Sequence, residues 1–204
     1  MIDNENTWDK LLQIKTTGRD DSKAGQYYYP YEPTPYSVLE RLANRGLIRK
    51  RDVVLDYGCG KGRVDFFLSY QTKANTIGIE YDERIFQSVL ENQKTGISSA
   101  KTEFILAKAE EYEVSTEVNR CYFFNPFSVE ILREVMSKII GSYHEKQREI
   151  LLFFYYPSKE YLSYLMEAEE LEFYDEIACG DLFGENDQRE RIVIFSVSSD
   201  CVEG

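Results

Sequence analysis

Apolar positions along this chain follow two alternating patterns. Short runs of consecutive apolar residues recur at 53–57, 76–80, 103–106, 121–124 and 149–155. Such runs suit strands that are covered on both faces. Between them lie longer stretches, at 62–71, 83–94, 128–141 and 158–168, with apolar residues three and four apart, as amphipathic helices require. Strand and helix in alternation predict parallel strands joined by crossover helices, an α/β doubly wound sheet with helices on both faces. Two more strand-like segments, 171–178 and 191–198, have no helix between them and are expected to close the mostly parallel sheet as an antiparallel hairpin. Ahead of this body, residues 1–34 form an entry segment with a helix around Trp8–Lys15 and a polar, turn-prone stretch at Asp20–Gly25. Thr34 is placed to cap a helix that starts at Pro35, and Gly46 to end it.

The chemistry concentrates at Val53–Asp65, which reads VVLDYGCGKGRVD. A buried-type strand ends in Asp56, glycines follow at positions 58, 60 and 62, and a helical pattern begins. Strand, glycine turn and helix bring backbone close to a nucleotide-like ligand. A dinucleotide turn needs G-x-G-x-x-G, and Arg63 stands at its third glycine position. The pattern present, D-x-G-x-G-x-G over Asp56–Gly62, resembles motif I of the class I S-adenosylmethionine-dependent methyltransferases, whose Rossmann-like core has seven strands. The next apolar strand ends in Glu80, 18 residues past Gly62, where a carboxylate can accept hydrogen bonds from both ribose hydroxyls.

The resemblance implies S-adenosyl-L-methionine as cofactor. Asp56 would fix the turn and the ligand's ammonium group, with Gly58 and Gly60 as the nearest bare backbone and Gly62 completing the turn. Glu80 would hold the ribose and Tyr81 stack on adenine. After the third strand Lys108 occupies the place of a customary acid. Ala109 would offer a backbone N–H to adenine, and Glu110 either receives the exocyclic amine or opens a surface helix. On this reading residues 1–34 are an entry or lid segment and residues 35–204 the methyltransferase domain.

Asn125-Pro126-Phe127 closes the fourth strand, at the end of the sheet where ligands gather. It resembles the N-P-P-Y/F motif of amino methyltransferases, one proline short. The resemblance implies catalytic roles: the Asn125 side-chain oxygen and the Pro126 carbonyl accept hydrogen bonds from an amine, and Phe127 forms an aromatic wall. The shortened motif leaves the acceptor atom open, and a strand stopped by proline with Phe127 in the core is the alternative. Tyr155, Tyr156 and Pro157 are further candidates for the acceptor wall or for the core. Tyr27–Tyr31 either fold over the ligand as an aromatic lid or pack on the sheet edge. The acidic loop Asp181–Asp187 faces solvent or selects a basic acceptor. His144, in an expected surface loop, is not the base.

Composition narrows the rest. A chain of 204 residues with 43% hydrophobic content supports one packed domain. A formal net charge of −12 disfavours nucleic acid as a partner, since the one dense basic run, Arg45, Arg49, Lys50 and Arg51, precedes the first strand, away from the ligand end. Cys59, Cys121, Cys179 and Cys201 are far apart without C-x-x-C pairing, which predicts reduced thiols, no metal site and a cytoplasmic location. No apolar run approaches the roughly 20 residues of a membrane span. The expected function is methyl transfer to an unidentified acceptor, a nitrogen of a small molecule or protein side chain. Its rivals are a protein that binds S-adenosylmethionine without turnover and a nucleotide-dependent oxidoreductase.

Overall fold

The central strand β1 (Val53–Tyr57) pairs in parallel with β2 (Asn75–Glu80) on one side and β4 (Arg120–Phe123) on the other. In the computed structural model, which describes residues 4–19, 29, 31–184 and 187–198, β3 (Thr102–Leu106) extends the sheet beyond β2 and β5 (Leu151–Tyr155) extends it beyond β4, both in parallel. The hairpin strands β6 (Leu171–Ala178) and β7 (Arg191–Val197) then close it, with β7 inserted antiparallel between β5 and β6. The order is β3-β2-β1-β4-β5-β7-β6, the seven-stranded, mostly parallel architecture expected from the pattern.

Alternation along the strands sorts side chains to two faces. Leu55, Tyr57, Phe123, Leu152 and Phe154 point to one side, where α5 (Val129–Glu145) and α6 (Lys159–Glu167) cover them with Leu132, Val135, Met136, Ile139, Tyr161 and Leu165. Val54, Tyr122, Leu151, Phe153 and Tyr155 point to the other. There α2 (Tyr36–Asn44), α3 (Arg63–Thr72) and α4 (Glu83–Thr95) supply Leu39, Phe66, Phe67 and Val89. Each such side chain buried whole contributes about 1.5–3 kcal/mol. The entry segment joins this second core through α1 (Asn4–Leu12), with Leu12 and Ile14 buried in it and Trp8 edge-on to Phe67.

Two local expectations change. Thr34 does not cap α2: Pro35 is the cap residue, without a side-chain bond. The Thr34 hydroxyl instead pairs with the Tyr122 hydroxyl at 3.0 Å beneath the sheet end, and the free N–H of Tyr36 is met by the Glu5 carboxylate of α1 at 3.0 Å. His144 lies in the last turn of α5, not in a loop, because buried Ser142 and Tyr143 keep the helix docked past Gly141. Tyr27, Tyr28, the stretch Asp20–Gly25, residues Glu185 and Asn186, and Cys201 lie outside the described residues. Among the described residues no helix is long and apolar enough to cross a membrane. Cys59, Cys121 and Cys179 are free thiols in the interior.

Candidate functional site

Because β2 and β4 leave β1 in opposite directions, their carboxyl ends part there, and a doubly wound sheet opens a crevice at such a point. A cleft of about 890 Å³, its open mouth included, occupies that position. It is lined by Asp56 and Gly58 at the end of β1, by Glu80, Tyr81 and Asp82 at the end of β2, by Ala109, by Phe124, Pro126 and Phe127 after β4, and by Tyr29 and Tyr31–Thr34 of the entry segment.

The turn after β1 is held by its own amides. Gly58 and Cys59 both donate N–H to the Ile79 carbonyl at 2.9 Å, and Gly62 donates to the Cys59 carbonyl at 2.8 Å. The Glu80 carboxylate accepts from Gly60 N–H at 3.1 Å and from Asp82 N–H at 2.8 Å, which ties the glycine turn to the end of β2. Gly58 and Gly60 have φ of +75° and +56°, conformations that glycine adopts at little cost. Their bare faces are also taken up by this protein's own side chains. A Cβ on Gly60 would stand 2.2 Å from the Tyr31 ring and one on Gly58 2.6 Å from Pro126. Packing within the chain thus demands glycine at both positions.

The acids at the base of the cleft are held away from water. Burial pushes the Glu80 carboxyl up to about 6, against the backbone N–H bonds that pull it down. Asp56 is pushed up to about 7, by burial first, with the Asp65 carboxyl beside it opposing the rise and the nearby Glu80 charge adding to it. Asp65, on the first turn of α3, is buried whole with neither oxygen bonded to a donor, and one Asp56 oxygen is likewise unpartnered. Burial, then the Asp56 charge, holds Asp65 far above the usual carboxylate range. Two carboxyls this close retain a proton between them. Asp65 escaped sequence reasoning because it looks like an ordinary first-turn acid.

Of the residues singled out in the sequence, Asp56, Gly58, Glu80, Tyr81, Ala109, Pro126 and Phe127 reach the cleft wall. Gly60 lies beneath Tyr31, Gly62 begins α3 against Val89, and Glu110 sits in the single helical turn Ala109–Glu111, off the wall. Lys108 is paired with Glu111 at 2.9 Å. Asn125 spends both side-chain atoms within the chain. Its amide donates to the Tyr156 carbonyl and its oxygen accepts Ser158 N–H at 3.2 Å. The Pro126 carbonyl accepts Tyr29 N–H at 3.2 Å. Phe127 is both wall and core, packed edge-on to Tyr57 and Phe123. Tyr155 is core with its hydroxyl on Glu190, and Tyr156 turns its hydroxyl to Asp187.

The residues present fit S-adenosylmethionine. An orphaned carboxylate oxygen of Asp56 suits an ammonium group. Glu80, at the end of β2, suits a ribose. Neutral surface from Tyr81, Ile85 and Ala109 suits a flat base.

Comparison with known proteins agrees on the architecture. No family model matches the sequence. A curated relative, the protein-lysine N-methyltransferase of Saccharolobus islandicus, is 32% identical over 73 residues, which are 35% of this chain and 45% of that enzyme. The match therefore spans less than half of the relative's length. The RNA methyltransferase of Salinibacter ruber, solved with S-adenosyl-L-homocysteine, superposes with a TM-score of 0.55 at 18% identity, over 85% of this chain and 98% of its own. A TehB-like methyltransferase of Corynebacterium glutamicum gives 0.57 at 15% identity, over 78% and 87%. The fold is that of the class I S-adenosylmethionine-dependent methyltransferases, as the glycine turn and Glu80 led us to expect.

One expectation falls. Several structural neighbours methylate RNA, including a ribosomal RNA methylase of Streptococcus thermophilus, so a net charge of −12 is no ground for disfavouring nucleic acid. Net charge is a sum over the whole surface, whereas phosphate contacts depend on where individual Lys and Arg side chains lie.

Proposed function

We propose that this chain is an S-adenosylmethionine-dependent methyltransferase acting on an acceptor nitrogen presented at the Pro126–Phe127 side of the cleft. One observation carries the reading: the glycine turn, the orphaned Asp56 oxygen and Glu80 converge on one crevice at the point where the strand order reverses. The cofactor supplies a methyl group already activated on a sulfonium, so positioning matters more than a strong base. Asp56 binds the ammonium group, Glu80 orients the ribose, and Tyr29, Phe124 and Phe127 exclude water around the acceptor. The Pro126 carbonyl has a second lone pair beyond its bond to Tyr29 and can orient an N–H of the acceptor. Asn125 holds the corner rather than the substrate.

A protein lysine amine is the first reading of the acceptor, on the strength of the Saccharolobus relative. An RNA base nitrogen is the second, favoured by the structural neighbours. Incubating the protein with tritiated-methyl cofactor and separate protein, RNA and small-molecule fractions of a cell extract tests both. Label in protein as methyl-lysine supports the first reading, and label in RNA replaces it with the second. No label in any fraction, with cofactor bound, identifies a binding protein without turnover and overturns the proposal.

A further inference from the structure

The cleft contains a cation that neither the glycine turn nor the acidic strand ends account for. Arg63, the first residue of α3, lies on the wall. Its guanidinium is 3% exposed, stacks 4.4 Å from the Tyr36 ring centre, and is held by three partners. Nε donates to Thr16 Oγ1 at 2.7 Å, and Nη1 donates to the Thr34 carbonyl at 3.1 Å and pairs with Glu5. Nη2 is buried and has no acceptor. A buried donor without a partner is costly to maintain, and a guanidinium held in a fixed orientation is suited to bind a carboxylate.

The charges on the wall indicate which ligand group belongs there. Glu32, Asp56, Glu80 and Asp82 are acids, and Arg63 is the single cation among the described wall residues. The glycine-turn amides do not fill the gap, because Gly58, Cys59, Gly60 and Gly62 have given their N–H groups to Ile79, Glu80 and Cys59. An amino-acid ligand end carries an ammonium and a carboxylate side by side. The orphaned Asp56 oxygen answers the first, and the second needs a cation.

We infer that Arg63, through Nη2, binds the carboxylate of the cofactor's amino-acid end and so selects ligands that carry that group. The inference rests on the proposed cofactor. The turn residue that rules out a dinucleotide thereby becomes a selectivity element. Its other contacts set the guanidinium in place before the ligand arrives, which lowers the entropy lost on binding.

Calorimetric titration with two probes tests this: S-adenosylhomocysteine, which has the amino-acid end, and 5′-methylthioadenosine, which lacks it. The variant Arg63→Met is expected to bind S-adenosylhomocysteine at least about tenfold more weakly, the effect of losing one charged hydrogen bond, with 5′-methylthioadenosine unchanged. Equal weakening of both probes, or of neither, overturns the inference, since a purely structural role for Arg63 does not distinguish them. If Arg63→Met fails to fold, the wild-type protein is titrated with decarboxylated S-adenosylhomocysteine. A loss of about tenfold or more against the intact ligand is expected, and equal affinity refutes the assignment. Wild-type protein that binds none of the probes removes the cofactor reading and this inference together. Wild-type protein that binds both, with the variant's preference unaltered, removes the inference alone.

Discussion

Replacing Glu80 by alanine tests whether one carboxylate fastens the glycine turn to β2. The variant orphans two buried amides, Gly60 N–H and Asp82 N–H. At about 1–3 kcal/mol for each buried group left unsatisfied, the loss is about 2–6 kcal/mol. The pH dependence is the sharper part. Burial raises the folded Glu80 carboxyl from 4.5 to about 6, so the protonated form is favoured in the folded state. Its contribution is fully present below 4.5 and declines as pH rises through 6. A shift of this size corresponds to about 2 kcal/mol at about 1.4 kcal/mol per unit. The wild type gives up that amount between pH 4.5 and 6 and Glu80→Ala does not. The destabilisation is therefore larger at pH 4.5 than at pH 8, by roughly 2 kcal/mol. Urea unfolding of both proteins at the two pH values measures it, read as the shift in midpoint at constant slope. A variant as stable as wild type, or a loss that grows with pH, refutes the reasoning.

The remaining predictions concern the turn and its acids. Gly60→Ala combines a left-handed φ, about 1–2 kcal/mol for a residue with a Cβ, with a clash on the Tyr31 ring. It is expected to lower the thermal midpoint markedly, and Tyr31→Ala in the same chain is expected to restore part of the loss. An unchanged midpoint for the single variant counts against the packing. Asp65→Asn keeps a donor toward Asp56 and carries no charge at any pH. Because burial raises both Asp56 and Asp65, the unliganded wild type loses stability as pH rises from about 4 through 7 and beyond. Denaturation of Asp65→Asn is expected to show a flatter profile and stability no lower than wild type at pH 8. A profile as steep as the wild type's means that the pair does not share a proton.

Much of the architecture was legible because its elements are long and regularly patterned. The runs at 53–57 and 171–178 match β1 and β6 residue for residue, and the missing helix before β7 correctly announced the antiparallel closure. Errors arose where a distant partner outbid a local rule. Thr34 has the right chemistry for a helix cap, but Tyr122, 88 residues away, takes its hydroxyl. Asp56 and Glu80 could be placed at strand ends from the apolar runs that lead into them, and their roles came from the motif resemblance. Arg63 could be read only as the absence of a glycine, since Glu5, Thr16 and the Thr34 carbonyl reach it from a segment whose docking no periodicity reports. The Asn125 corner looked like a substrate contact for a similar reason: the Tyr156 and Ser158 groups that occupy it come from the end of another strand.

On the proposed acceptor side, that corner has a consequence for which acceptors are admitted. Asn125 and Tyr156 both have left-handed backbones, with φ of +40° and +50°, and an amide clasp joins them across the ends of β4 and β5. Two neighbouring loops locked in this way behave as one stiff threshold with little freedom to reshape. Adaptation to a bulky or a slender acceptor would then come from lining residues outside the clasp. There Tyr29 meets the threshold through its backbone hydrogen bond to Pro126.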